Sequence, residues 1–381
     1  MNKNFIFLLT LGIILIYNPY SLFGLEVNEK ISLGGTITTV YQWLNHSIGD
    51  FPNKNRGSGA IDLDFSLKFT ENDEIYILGS FASGNGLKGL SPFILAPNAD
   101  DLEEDVKNIN GHKQQDNILE LKYAHTFTFN ENTYLKITGG IIDATVYIDD
   151  NRFADDEITQ FMNDVFVDIP LTTPPSYDLG LVIELYKEPF SVRLLGITTK
   201  DGEEGPFYQY YALQLGYTLK SKIGEGNYRI FGFITSEDFY NWEGTKKEKH
   251  QGIGISIDQD LGFIKNPFAE NPIGFFLRAG WQNDEAPVDY NNLISFGLNI
   301  PFYFLGKKGN EIGIGYAYLN SPKEHELSNT HAFEGYIKLA IFSHEALSSD
   351  LTLDLQYIKD NYKNQKDNEG YILGFRWNFS F

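Results

Sequence analysis

Between Asp143 and Asn163 the chain gathers six carboxylates, Asp143, Asp149, Asp150, Asp155, Asp156 and Glu157, around the single arginine Arg152. Three kinds of chemistry use such side chains: holding a hard cation, moving protons, or offering hydrogen bonds to a hydroxyl-rich solute. A calcium loop needs a central glycine and a fixed ligand spacing, and Asp149 to Glu157 has neither. Proton chemistry needs a nucleophile or base placed to use it. No G-x-S-x-G, HExxH or Walker motif is present, and the seven histidines lie scattered. The chain therefore reads as a non-enzyme with no cofactor. The third chemistry fits the residue types. A sugar presents hydroxyls and a mildly apolar ring face, so paired donors and acceptors beside aromatic surfaces can hold it without stopping its exit. Asp149, Asn151, Arg152, Asp155, Asp156, Glu157 and Gln160 supply the polar groups, and Tyr147 and Phe153 the faces.

The elements that must position this stretch alternate with period two. From Ile31 the odd positions read Ile31, Leu33, Gly35, Ile37, Thr39, Tyr41, Trp43, while the even ones are mostly polar. That span approaches the roughly 9 to 11 residues of a tilted membrane strand. The pattern returns through Ile61 to Phe69, Ile75 to Phe81, Leu119 to Phe129, Leu135 to Ile141 and Leu179 to Leu185. It continues from Phe190 through to Phe381, giving about sixteen segments. The expected fold is all-β: a transmembrane antiparallel up-and-down β-barrel of about sixteen strands, with a long loop at about 143–176. Connections are expected to be short after the second, fourth and sixth strands and long after the first, third and fifth. The stretch Gln259 to Pro272 is too long for the short-turn side. Gly84-Asn85-Gly86-Leu87-Lys88-Gly89 is formally a GxGxxG, but the prolines that follow exclude the helix a dinucleotide site requires.

Charges inside the strands fall on the polar phase, among them Glu120, Lys122, Glu184, Arg193, Arg229, Arg278, Glu334 and Arg376. A lysine or arginine facing lipid at mid-depth costs about 2–4 kcal/mol, so a bilayer would enforce this discipline. A soluble sandwich would rarely need so many long greasy faces. His125 alone sits on the apolar phase. By strand phase Arg193, Arg229, Arg278, Arg376 and Glu334 project inward, opposite the carboxylate stretch, where each would either meet a solute or pair with the loop and anchor it. Residues 1–24 have the layout of a secretory signal peptide, leaving 25–381 as the barrel. The absence of cysteine removes disulfide and thiol chemistry, and a formal charge of −21 argues against nucleic acid as a partner.

The stretch around Tyr147, Asp149, Asn151, Ala154, Asp156, Glu157, Gln160, Phe161 and Asn163 resembles the signature of the carbohydrate-selective porins, the OprB-like outer-membrane porins. Two further passages are similar to that family: Ser256 to Gln259 followed by Gly274 to Trp281, and Phe333 to Tyr336 followed by Leu351 to Ile358. Lys359-Asp360-Asn361 replaces the ending usual there. The resemblance implies that the long loop, about 143–176, is folded into the lumen and narrows the channel of a sixteen-stranded barrel in the outer membrane of a Gram-negative type cell. It implies passage of small hydrophilic solutes, carbohydrates foremost. Outer-membrane lipid and lipopolysaccharide are expected partners, with a homotrimer as a further expectation. The terminal Phe381 resembles the signal read by the barrel assembly machinery. The alternatives are a general cation-preferring pore, suggested by the acidity, and a plugged barrel acting as enzyme or adhesin.

Overall fold

A computed structural model of the chain describes residues 25–28, 30–48, 53–96, 117–171, 174–200, 205, 207–344 and 347–381. The expected signal peptide, 1–24, lies outside them. One antiparallel sheet of 17 strands holds the short Leu25–Asn28 segment and sixteen wall strands. The wall strands are β1 Ile31–Ile48, β2 Lys54–Lys68, β3 Asp73–Ser83, β4 Ile118–Asn130, β5 Thr133–Ile142, β6 Asp178–Lys187, β7 Phe190–Lys200 and β8 Phe207–Ser221. They continue as β9 Gly224–Thr235, β10 Gln251–Asp260, β11 Gly274–Gln282, β12 Asn292–Phe304, β13 Lys307–Asn320, β14 Leu327–His344, β15 Leu347–Tyr362 and β16 Asn368–Ser380.

Each wall strand pairs with its neighbours in sequence, and β16 closes on β1 through Ser380↔Thr36 to Glu369↔Ile48. Beyond the last strand, Phe381 and Gly35 exchange two backbone hydrogen bonds of 2.9 Å. Closure matters because an unpaired edge has no water to bond within a bilayer. Alternation places Leu33 and Trp43 outward, 44% and 45% exposed, while Gln42 and Leu44 point inward at 1%. His125, on the outward phase, is satisfied by Asp73 at 2.7 Å near the short-turn rim.

One expectation is corrected. The connection after the first strand is only 49–53, because β1 runs to Ile48 and β2 begins at Lys54. Polar residues such as Asn45 and Arg56 continue the ladder where their types suggested loop. The inner face is polar in part and apolar in part. Val182, Leu195, Ala212, Phe231, Phe233, Phe276, Leu293 and Leu319 are buried inward-facing wall residues in one cluster with loop side chains. Water is excluded there because protein covers the wall. The long turn foreseen between Gln259 and Pro272 is present as 261–273.

Candidate functional site

The connection from β5 to β6 folds inside the barrel. It leaves the wall where Asp143 accepts hydrogen bonds from the Thr145 amide (2.9 Å) and hydroxyl (2.8 Å). It returns beside its own start, the Ala144 amide donating to the Pro175 carbonyl at 3.0 Å. Between these points lies one turn of helix, α1 Asp164–Val167, whose N-cap Asn163 accepts from the Val165 amide.

An apolar wedge sets the loop's position. Ile148, Phe161, Val165, Phe166 and Ile169 pack against the wall patch, and Phe161 meets Phe276 and Tyr336 edge-on at 5.4 and 5.0 Å between ring centres. The wall is cut away to receive them. A Cβ on Gly315 would stand 2.8 Å from the Phe166 ring and 3.0 Å from that of Phe161. A Cβ on Gly274 would be 2.4 Å from the Phe153 ring.

Charge fixes what the wedge positions. Arg278, wholly buried, donates to Asp149 Oδ1 (2.8 Å), to the Asp149, Phe166 and Val167 carbonyls (3.0, 2.7 and 3.1 Å) and to Asp155 Oδ1 (3.3 Å). Asp149 also accepts from the Ile169 amide at 2.9 Å and adopts a left-handed φ of 68°, a conformation aspartate tolerates better than most residues. Glu334 accepts from the Met162 and Asn163 amides. Arg376 donates to the Glu157 and Gln160 carbonyls. These three wall residues thus grip the loop's main chain.

The remaining sequence candidates divide between the loop's own folding and its lumen side. Asp155 accepts from the Asn151 amide, Asp156 caps Ile158 and Thr159, and Gln160 bridges the Asp155 amide and the Arg152 carbonyl. Asn151 reaches Ser256 at 3.2 Å. Tyr147 is buried in the apolar cluster at 6% exposure, while Phe153 and Glu157 are half-buried. Arg152 lies over the Phe153 ring at 4.9 Å and pairs with Asp258 and Asp260 of the wall. Arg193 and Arg229 converge on Asp150 at 2.9 and 3.0 Å, joined by Gln214 at 2.7 Å. Asp150, counted among the carboxylates of the stretch, carries no site role in the sequence reading, and neither do Asp258 and Gln214. Asp150 carries the same local signal as Asp149, but only the fold decides which of two adjacent aspartates meets which arginines.

Burial raises the carboxyls of Asp143, Asp149, Asp155 and Asp168. It pushes Asp168 up to about 7, with Asp149 and Asp143 adding to the effect. It pushes Asp155 up to about 9 against the pull of Arg278. Among the described residues no group of three or more potential ligands is placed to hold a metal.

No family profile matches the chain. An uncharacterized protein of Aquifex aeolicus (strain VF5) is 31% identical over 350 residues, covering 90% of this chain and 93% of that one. Among solved structures, the Pseudomonas putida OprB superposes with a TM-score of 0.68 at 12% identity, covering 93% of this chain and 95% of that one. The Acinetobacter baumannii OccAB1 gives 0.52 at 10% identity, covering 95% and 98%.

Proposed function

Because this chain belongs to one family with the Aquifex aeolicus protein and has an OprB-like porin fold, we infer that it is an outer-membrane channel for passive diffusion of small hydrophilic solutes, carbohydrates foremost. One observation carries the reading. A closed wall, apolar outside, holds within its lumen a loop whose Arg152, Asp150 and Phe153 stay partly accessible among matched arginines and carboxylates. Such a surface exchanges hydrogen bonds with a hydroxylated solute and offers no catalytic constellation. In this reading the greasy band meets lipid and lipopolysaccharide, and the terminal Phe381 is presented to the barrel assembly machinery. Three copies assemble through their outer walls.

Liposome swelling with a panel of sugars and amino acids tests the proposal. Entry of hexoses ahead of amino acids of similar size is expected, and no swelling with any solute would overturn it. The formal charge of −21 favours a second reading, a general cation-preferring pore. Strong cation selectivity without block of current by sugars would choose it.

A further inference from the structure

Beneath the loop, toward the short-turn rim, the lumen keeps a pocket of about 210 Å³. Its roof is Asp150. Its wall is built from inward positions of β5 to β9, where the pairings Tyr134↔Tyr186, Glu184↔Arg193 and Gly216↔Arg229 bring distant residues together. Tyr134 and Tyr186 stack with their ring centres 5.3 Å apart and an interplanar angle of 21°. Both sit next to short turns, so the pocket lies past the loop for a solute arriving from the long-loop side.

Three features say what it would hold. First, its charges cancel. Arg193 pairs with Asp150 and Glu184, and Arg229 with Asp150 and Asp258, so neither an anion nor a cation finds an unmatched partner. Second, hydrogen-bonding capacity remains. Arg193 uses Nε and Nη1 in these contacts, as does Arg229, leaving Nη2 of each. Among the described residues the Ser191 hydroxyl and the two tyrosine phenols make no hydrogen bond to protein. Third, the volume falls below the ~300–1,000 Å³ of sites for larger ligands, which limits the occupant to one small ring.

We propose that this pocket is a solute subsite distinct from the constriction, taking one neutral, polyhydroxylated ring against Tyr134 and Tyr186, with its hydroxyls on Arg193, Arg229 and Ser191. The inference rests on the channel reading above. Aromatic faces suit the apolar side of a sugar ring, and donors held in fixed ion pairs need no rearrangement to meet its oxygens. A solute that has cleared the loop would pause here before release.

The test is block of single-channel ion current by glucose, comparing the wild type with Tyr134→Ala/Tyr186→Ala and with Tyr134→Phe/Tyr186→Phe. The alanine pair is expected to raise the half-blocking concentration about tenfold, and the phenylalanine pair, which keeps the rings, about threefold. If the alanine pair does not assemble, the phenylalanine pair alone decides. A blocked wild type with assembled variants blocked at the same concentration would overturn the subsite and leave the channel reading standing. A wild type that conducts ions yet neither admits nor is blocked by any sugar would overturn the carbohydrate reading and the subsite with it.

Discussion

Replacing Arg278 by alanine should release the loop and spare the wall. The side chain makes five hydrogen bonds, all to the loop, and is the ion-pair partner of Asp149, which is itself only 1% exposed. Removing one partner of a buried pair costs about 3–5 kcal/mol, because the other charge is left uncompensated. The backbone of residue 278 keeps its pairing with Ser256 and Ser295, so the barrel itself loses little. Glu334, Arg376 and the apolar wedge still hold the loop, but a loss of this size multiplies the undocked population by roughly a hundredfold or more, at ~1.4 kcal/mol per tenfold. Single-channel recording should therefore show higher mean conductance and frequent open-channel noise, while heat-modifiable mobility on gels stays that of a folded barrel. Adding Asp149→Asn to the variant should recover part of the loss, since the stranded charge is gone. Wild-type current steps and noise in a folded Arg278→Ala protein would refute the anchoring argument.

Other outcomes follow from the same geometry. Gly315→Val puts atoms against two buried rings, so overpacking of about 1–3 kcal/mol should likewise unseat the loop and raise noise; unchanged current would show that the wall yields. Raised above its unfolded value of ~3.9, Asp168 contributes stability that is complete below that pH and lost as pH climbs through about 7. Loop noise should accordingly increase from pH 5 to pH 8 in the wild type and less steeply in Asp168→Asn, where Asp155, pushed up to about 9, still contributes a rise; a planar-bilayer titration checks it, and equal slopes would contradict the assignment to Asp168. Reversal potentials in a salt gradient should show only weak cation preference, because the lumenal arginines Arg152, Arg193 and Arg229 offset Asp150, Asp258 and Asp260; ideal cation selectivity would contradict that balance.

The wall was legible in the sequence because a bilayer permits only one solution per strand. Leu353 and Leu355 must alternate with Asp354 and Gln356, since neither lipid contact for Asp354 nor an unpaired edge is tolerable. The loop's seat was not legible, for a reason visible in β7. Leu194 faces outward at 48% exposure and Leu195 inward at 4%, and a run of two leucines carries no mark of which one meets protein instead of water. Inward glycines were a fainter trace of the same fact: Gly254, Gly274 and Gly315 occur where loop side chains press on the wall. At the site, residue types suggested polar contact between loop and wall. The choice between solute contact and anchoring depended on burial, which spacing alone does not encode: Arg278 is enclosed while Arg152 remains accessible. Strand ends misled in one place, because Lys54 to Gly57 reads as turn yet pairs with Tyr41 to Leu44.

The most direct test is single-channel conductance of purified protein before and after removal of Asp149 to Glu157, the segment that places carboxylates, Arg152 and Phe153 in the lumen. A conducting wild type and a larger, less sugar-sensitive step in the shortened protein are predicted. Silence in both, or equal steps in two folded barrels, would contradict the account.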